Sequence, residues 1–178
     1  DVDATSSPAA VQAAFETWAR AGSRTGPGKP FFVYFVDHGL DEKFCVNGCS
    51  AGQAVSPLEV NSWLDALEAA RGVDQASVIV EACRSGSFIN REAGNPLGGL
   101  GKAGRVIITS TDAQNNAYAS AEGAYFSDSF FSCAVNNRDL KTCFDQGVEA
   151  VGATGVSQRP QLDDNGDGLF NSGDGALA

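Results

Sequence analysis

Phe31-Phe32-Val33-Tyr34-Phe35-Val36-Asp37-His38-Gly39 and Val78-Ile79-Val80-Glu81-Ala82-Cys83-Arg84-Ser85-Gly86 share one pattern. Each is a short apolar run, rich in β-branched or aromatic residues, that stops at polar residues and a glycine. Runs of this length and composition read as strands buried on both faces, the usual state in a parallel sheet. In open α/β sheets, chemistry collects just past the carboxyl ends of the strands. The residues found there are the single histidine of the chain, His38, and one of its five cysteines, Cys83.

The chain has 178 residues, enough for one domain with a real core. Its hydrophobic content is 43%, which points neither to disorder nor to a fibrous repeat. A formal charge of −10 disfavours nucleic acid and anionic membranes as partners, since both need Lys/Arg-rich patches. No apolar run approaches the roughly 20 residues of a membrane span. No signal peptide is evident, and the chain opens at Asp1 without Met, which reads as a mature or excised piece.

Five cysteines divide most simply into two local pairs and one free thiol. Cys45 lies near Cys49 and Cys133 near Cys143, while Cys83 stands apart. Four cysteines still permit three connectivities. Disulfides imply an oxidising compartment, so the expected location is secreted, periplasmic or cell-surface. A zinc site is the competing reading, but these spacings lack the tight pairs of a zinc ribbon.

Along the chain, Ser7 and Pro8 open a helix over 7–21, with Val11, Ala14, Phe15, Trp18 and Ala19 as its apolar stripe. Asn47-Gly48 is a hairpin-turn signal. Two-residue hairpin pairing would not set Cys45 opposite Cys49. Ser56-Pro57-Leu58-Glu59 is a capping box that starts a second helix, closed by Gly72. A polar loop holding Asn95 and Pro96 follows the second strand. Val106–Thr109 reads as a third buried strand, and 125–135 and 140–151 as two helices. This order predicts an α/β fold with helices on both faces of a mostly parallel sheet. Right-handed crossovers then put the functional ends of the strands on one side.

A thiol attacks a carbonyl carbon as thiolate, and a histidine beside it can take the proton and later return it to the leaving amine. The acyl intermediate needs hydrogen-bond donors for its oxyanion. Gly39 lacks a Cβ, so its backbone N–H can face a substrate closely, and the Cys83 N–H is the natural second donor. Arg84 adds positive charge next to the thiol or points to solvent.

The block ending in Asp37-His38-Gly39, followed by Glu81-Ala82-Cys83-x-Ser85-Gly86-Ser87, resembles the legumain family of cysteine peptidases, in a bacterial-type member. That family is grouped with caspases, gingipains and clostripain. The resemblance covers most of residues 7–155, at lower specificity outside the two blocks, and implies a caspase-like three-layer α/β/α sandwich. By it, His38 is the general base and acid, Cys83 the nucleophile, and the Gly39 and Cys83 amides the oxyanion hole. Glu81 matches a wall of the pocket for the residue preceding the cut (P1). Asp128, in Tyr125-Phe126-Ser127-Asp128, matches an acidic residue of the same pocket. Legumains cut after Asn, and relatives after Asp or after Arg/Lys. Two carboxylates without an arginine favour a basic side chain by Coulomb attraction. The family's pocket arginine lies on a strand before the first helix, and this chain begins directly before that helix. By the resemblance, the first strand is either removed or supplied by a larger parent chain or a separate segment.

At the C-terminus, Asp163, Asn165 and Asp167 fill positions 1, 3 and 5 of a calcium-loop pattern, with Gly168 at 6. Leu169 offers a carbonyl at position 7, and Asn171 and Asp174 stand at 9 and 12. The expected organisation is a peptidase domain over 1–155 and a calcium-loop segment of the same domain over 156–178. The expected function is a cysteine endopeptidase acting on peptide or protein substrates, with Ca²⁺ structural and no cofactor for catalysis. A catalytically silent, calcium-stabilised interaction module is one alternative. A transpeptidase or ligase using the same dyad is another.

Overall fold

The computed structural model describes residues 4–89, 98–121 and 123–178. The polar loop expected around Asn95 and Pro96 falls mostly outside those residues. Chain order gives α1 (Pro8–Ala13), which runs into a π-helical turn (Ala14–Trp18), then β1 (Phe31–Val36), β2 (Gly39–Leu40), β3 (Lys43–Cys45) and β4 (Ala54–Val55). Next come α2 (Pro57–Arg71), β5 (Ala76–Glu81), a 3₁₀ turn (Ser85–Phe88), β6 (Arg105–Thr109), β7 (Ala119–Ser120) and β8 (Gly123–Ala124). The chain ends with α3 (Tyr125–Ala134), α4 (Leu140–Thr154) and β9 (Gln161–Asp163).

The main sheet has the order β1-β5-β6-β9. β1, β5 and β6 are parallel, with Phe31 opposite Ala76, Val36 opposite Glu81, and Ala76 opposite Arg105. β9 closes the other edge antiparallel to β6, with Ile108 opposite Leu162. Every residue of β5 and β6 is buried, and the apolar runs Val78–Val80 and Val106–Ile108 form their centres.

Side chains alternate across the sheet and form two cores. Phe35, Val78, Val80 and Ile107 pack with Phe15, Val60, Leu64 and Leu67 on the α1/α2 face. Ile79, Val106 and Ile108 pack with Phe126, Phe130, Phe144 and Leu162 on the α3/α4 face. The result is the three-layer α/β/α arrangement with a mostly parallel central sheet. Full burial of an aliphatic side chain contributes about 1.5–3 kcal/mol, so these layers supply the bulk of the driving force.

Local signals set the helix ends. In α2 the Ser56 hydroxyl accepts from the Glu59 N–H and the Glu59 carboxylate accepts from the Ser56 N–H. Asp139 caps α4 through the Thr142 N–H at 2.7 Å. The first helix departs from its expected stripe. Phe15 and Ala19 are buried, but Trp18 is half exposed, with Arg24 over its ring at 5.1 Å. The π turn rotates the last residues of this segment away from the face that regular α periodicity would have buried.

Both local disulfides form, Cys45–Cys49 and Cys133–Cys143, and Cys83 is the free thiol. β3 pairs with β4 so that Cys45 lies opposite Ala54, not Cys49. The Asn47-Gly48 region is thus part of a wide loop, which removes the geometric conflict of a two-residue turn. The second bridge ties α3 to α4.

Candidate active site

Continuing the β1/β5 ladder places His38 level with Cys83. The Asp37 N–H still donates to the Glu81 carbonyl at 3.3 Å, one step past the last strand pair. Beyond it both chains turn away, as parallel strands do at the top of an α/β sheet. His38, Cys83, Glu81 and Asp37 all line one cleft of about 310 Å³, with Ala117, Tyr118, Ala119 and Ala124 opposite.

Short hydrogen bonds brace the histidine turn. The His38 N–H donates to the Asp37 carboxylate at 2.6 Å, and its carbonyl accepts from the Cys45 N–H at 2.9 Å. The imidazole is exposed. β2 and β3 follow as a tight hairpin, with Gly39 opposite Phe44. Gly39 is buried, and a Cβ there would collide with the Cys83 carbonyl oxygen and meet the Ala82 Cβ at 2.9 Å. The glycine is therefore required for the two strand-end turns to touch, a reason distinct from substrate access.

On the other turn, Cys83 is half-buried and its Sγ–H donates to the Ala117 carbonyl at 3.7 Å. Arg84 takes a left-handed conformation (φ 57°), unusual for a side chain of its size, and its N–H donates to the Asn115 carbonyl at 2.9 Å. Its side chain is exposed. Ser87 links the two turns: its hydroxyl donates to the Arg84 carbonyl at 2.8 Å and accepts from the Glu42 N–H of the histidine hairpin at 3.1 Å.

Glu81 is only 4% exposed. Burial pushes its carboxyl above the ordinary 4.5; the Ser127 donors oppose the shift, and the charge of Asp128 adds to it. One oxygen, Oε2, accepts from both the Ser127 N–H (3.2 Å) and the Ser127 hydroxyl (2.6 Å). Tyr34 stands beside this pair, and its phenol is pushed up by burial, with Glu81 and Asp128 adding to the shift. Asp128 sits exposed in the first turn of α3, with its carboxylate against Gly123. It adjoins the cleft without lining it, whereas Ala124 does line it. The sequence reading passed over Ser127, although it lies inside the segment that carried Asp128.

The acidic tail loop is tightly hydrogen-bonded. Asp163 accepts from the Gly166 and Gly168 N–H groups at 2.9 and 3.0 Å, Asn165 from Asp167 at 2.8 Å, and Asp167 from Leu169 at 2.8 Å. Asn171 accepts from Gly173, and Asp174 from the Asn171 and Asp164 N–H groups. The donor set is all hard oxygen, as calcium requires. Among the described residues, however, no three acidic, His or Cys side chains gather closely enough to hold a metal ion. Asp164, absent from the sequence argument, anchors the end of the chain by accepting from Gly175, Leu177 and Ala178 at 2.6–2.9 Å.

A parallel sheet flanked by helices, with a Cys and a His at the ends of neighbouring strands, defines the caspase-like class of cysteine peptidases. The peptidase C13 family matches residues 23–154, and the chain belongs to it. Among solved structures, caspase-1 from Spodoptera frugiperda is similar, with a TM-score of 0.56 at 14% identity. That likeness concerns the fold. It covers 86% of this chain and 64% of the caspase chain, so the chain spans somewhat less than two thirds of that caspase's length. A search of curated proteins finds no match.

Proposed function

We propose that the protein is a cysteine endopeptidase in which Cys83 is the nucleophile and His38 the general base and acid. The observation that carries this reading is that both residues line one cleft, at the ends of adjacent parallel strands, with Glu81 in its wall. His38 takes the Cys83 thiol proton as sulfur attacks the scissile carbonyl and forms the C–S bond. The Gly39 and Cys83 N–H groups stabilise the oxyanion. Collapse breaks the C–N bond, and the imidazolium protonates the leaving amine. Water, deprotonated by His38, then hydrolyses the thioester and releases the acid.

Glu81 supports a P1 residue that brings hydrogen-bond donors: Lys or Arg when the carboxylate is ionised, Asn in either state. Asp at P1 is repelled until Glu81 is protonated. Asp128, at the margin, adds to the same negative field. The test is a P1-varied peptide library with wild type beside Cys83→Ala. Cleavage after Lys, Arg or Asn by the wild type alone is expected, and identical traces from both proteins would sink the proposal. Adding an amine nucleophile to the same assay reads out ligation against hydrolysis.

Two further elements belong to this reading. The paired disulfides support an exported protein. Among the described residues no strand covers the outer edge of β1, where Phe32 and Val36 are exposed, which supports a parent-chain or separate segment adding a strand there. Calcium would bind through Asp163, Asn165, Asp167, the Leu169 carbonyl, Asn171 and Asp174 and stabilise the tail, after these side chains draw inward. Chelation should then lower Tm, and an unchanged transition would refute it.

A further inference from the structure

The segment Ser110–Tyr118 leaves the end of β6 and passes directly over the Cys83 turn. It contains no regular secondary structure and, apart from the Ala117 and Tyr118 positions, nothing that lines the cleft. Two buried polar side chains nevertheless determine its shape. Asp112, 7% exposed, accepts at Oδ1 from the Gln114 N–H (2.9 Å), the Asn115 N–H (2.7 Å) and the Asn115 amide (3.0 Å), and at Oδ2 from the same amide (2.8 Å). Gln158, 5% exposed, spans the two ends of the loop. Its amide donates to the Ser110 carbonyl at 2.8 Å, and its oxygen accepts from the Tyr118 N–H at 2.9 Å.

Held in this way, the loop supplies the backbone acceptors for the nucleophile's turn. The Asn115 carbonyl accepts a hydrogen bond from the N–H of Arg84, the residue strained into the left-handed region, and the Ala117 carbonyl accepts one from the Cys83 thiol. The fit leaves no slack: a Cβ on Gly86 would lie 2.6 Å from the Ala113 nitrogen and from the Asp112 Cα. A carboxylate is the right group at 112, because it is an acceptor at both oxygens and faces only donors. An amide would turn its NH₂ toward one of them. The hydrogen bonds of a charged acceptor are also the stronger ones.

We propose that Asp112 and Gln158 are positioning residues of the peptidase, which fold Ser110–Tyr118 into a cradle that fixes the Cys83 thiol and the Arg84 backbone against the cleft. Neither touches the substrate, and each acts through backbone carbonyls. This inference rests on the peptidase reading above, and it assigns function to a polar loop and to a glutamine beyond the segment where the family motifs lie.

The experiment compares wild type, Asp112→Asn and Gln158→Glu on one cleaved peptide, with iodoacetamide mass labelling to count reactive Cys83 per chain. Gln158→Glu removes the donor to Ser110 and keeps the acceptor for Tyr118, so it tests the cradle even if Asp112→Asn fails to fold. Displacement of a reacting group by about 1 Å can cost ~100-fold, so kcat should fall by about 10- to 100-fold for Asp112→Asn and less for Gln158→Glu. KM should stay within about twofold of wild type, because substrate contacts are intact. A fall in rate that merely tracks a loss of labelled, folded chains would overturn the proposal, as would wild-type kcat in both folded variants. If the wild type cleaves no better than Cys83→Ala, the peptidase reading itself fails, which is a separate outcome.

Discussion

Two buried charges stand at opposite ends of the same sheet. Arg105, at the start of β6, is 1% exposed, and Glu81, at the end of β5, is 4% exposed. Arg105 has all of its donors engaged. Nε and Nη2 reach Glu68, Nη2 also reaches Asp65, and Nη1 reaches Asn61 and the Leu100 carbonyl, all at 2.6–3.0 Å. Burial pushes the Asp65 and Glu68 carboxyls up, but Lys102 and Arg105 outweigh it and hold both below their ordinary values. Among the described residues no cation pairs with Glu81, which takes both Ser127 donors on one oxygen. Ion pairs neutralise one end of the sheet, and at the other a buried carboxyl, shifted upward by burial, faces the cleft. Under the proposed function, the electrostatics of the first end serve stability and those of the second serve a ligand.

The largest effect expected is at the open end. Cys83→Ala should abolish peptide cleavage while leaving Tm within about a degree or two, since the loss of one half-buried thiol is a small packing change. A comparable loss of both activity and fold would mean the two ends are not separable.

Next is the closed end, where Arg105→Met leaves Glu68 and Asp65 with Lys102 alone. Breaking a buried pair by removing one partner costs about 3–5 kcal/mol. Denaturant melts should show that loss, with kcat unchanged in the folded fraction. A loss under about 1 kcal/mol would show that water screens the cluster as it does a surface pair.

Glu81→Gln sharpens the contrast further. Cleavage after Lys or Arg should drop by about 10- to 100-fold, the scale of a lost charge-assisted hydrogen bond, with cleavage after Asn least affected. Its stability should also carry a pH signature. The folded pKa of Glu81 is raised, so its contribution relative to Gln is fully present below its unfolded value and is lost as pH rises through the folded one. Melting curves of wild type against Glu81→Gln should diverge across that interval, and parallel curves would show that Glu81 titrates normally. The smallest effect belongs to Lys102→Ala. Its half-exposed ammonium bridges Asp65 and Glu68, and removal should cost at most about 1 kcal/mol, less at high salt.

Legibility in the sequence followed the same division. β5 and β6 were readable because they are buried on both sides around the apolar runs Val78–Val80 and Val106–Ile108, and β1 because it is a run of aromatic and β-branched residues, although at the sheet edge only Phe35 of it is buried. α2 was readable because Ser56, Pro57, Glu59 and Gly72 each satisfy a specific backbone need at its ends. β9 was not: Gln161-Leu162-Asp163 has one apolar residue, and its last member is shared with the acidic loop. Trp18 was assigned to the core because periodicity assumes an α-helix, and the π turn violates that. At the site, His38 and Cys83 were visible as residue types at strand ends. Ser127, Asp112 and Gln158 were not, since each acts through contacts 40 or more residues distant, or through a loop whose shape no local pattern encodes.

The disulfide on the histidine hairpin gives handling of this protein an unusual constraint. Cys45 lies in the covalent bridge, and its own N–H holds the His38 carbonyl. Thiol reductants, routinely added to keep a nucleophilic cysteine from oxidising, act on every accessible sulfur. The concentration that protects Cys83 and the concentration that opens the bridge behind its partner define a window, and assays run above it would measure a loosened enzyme.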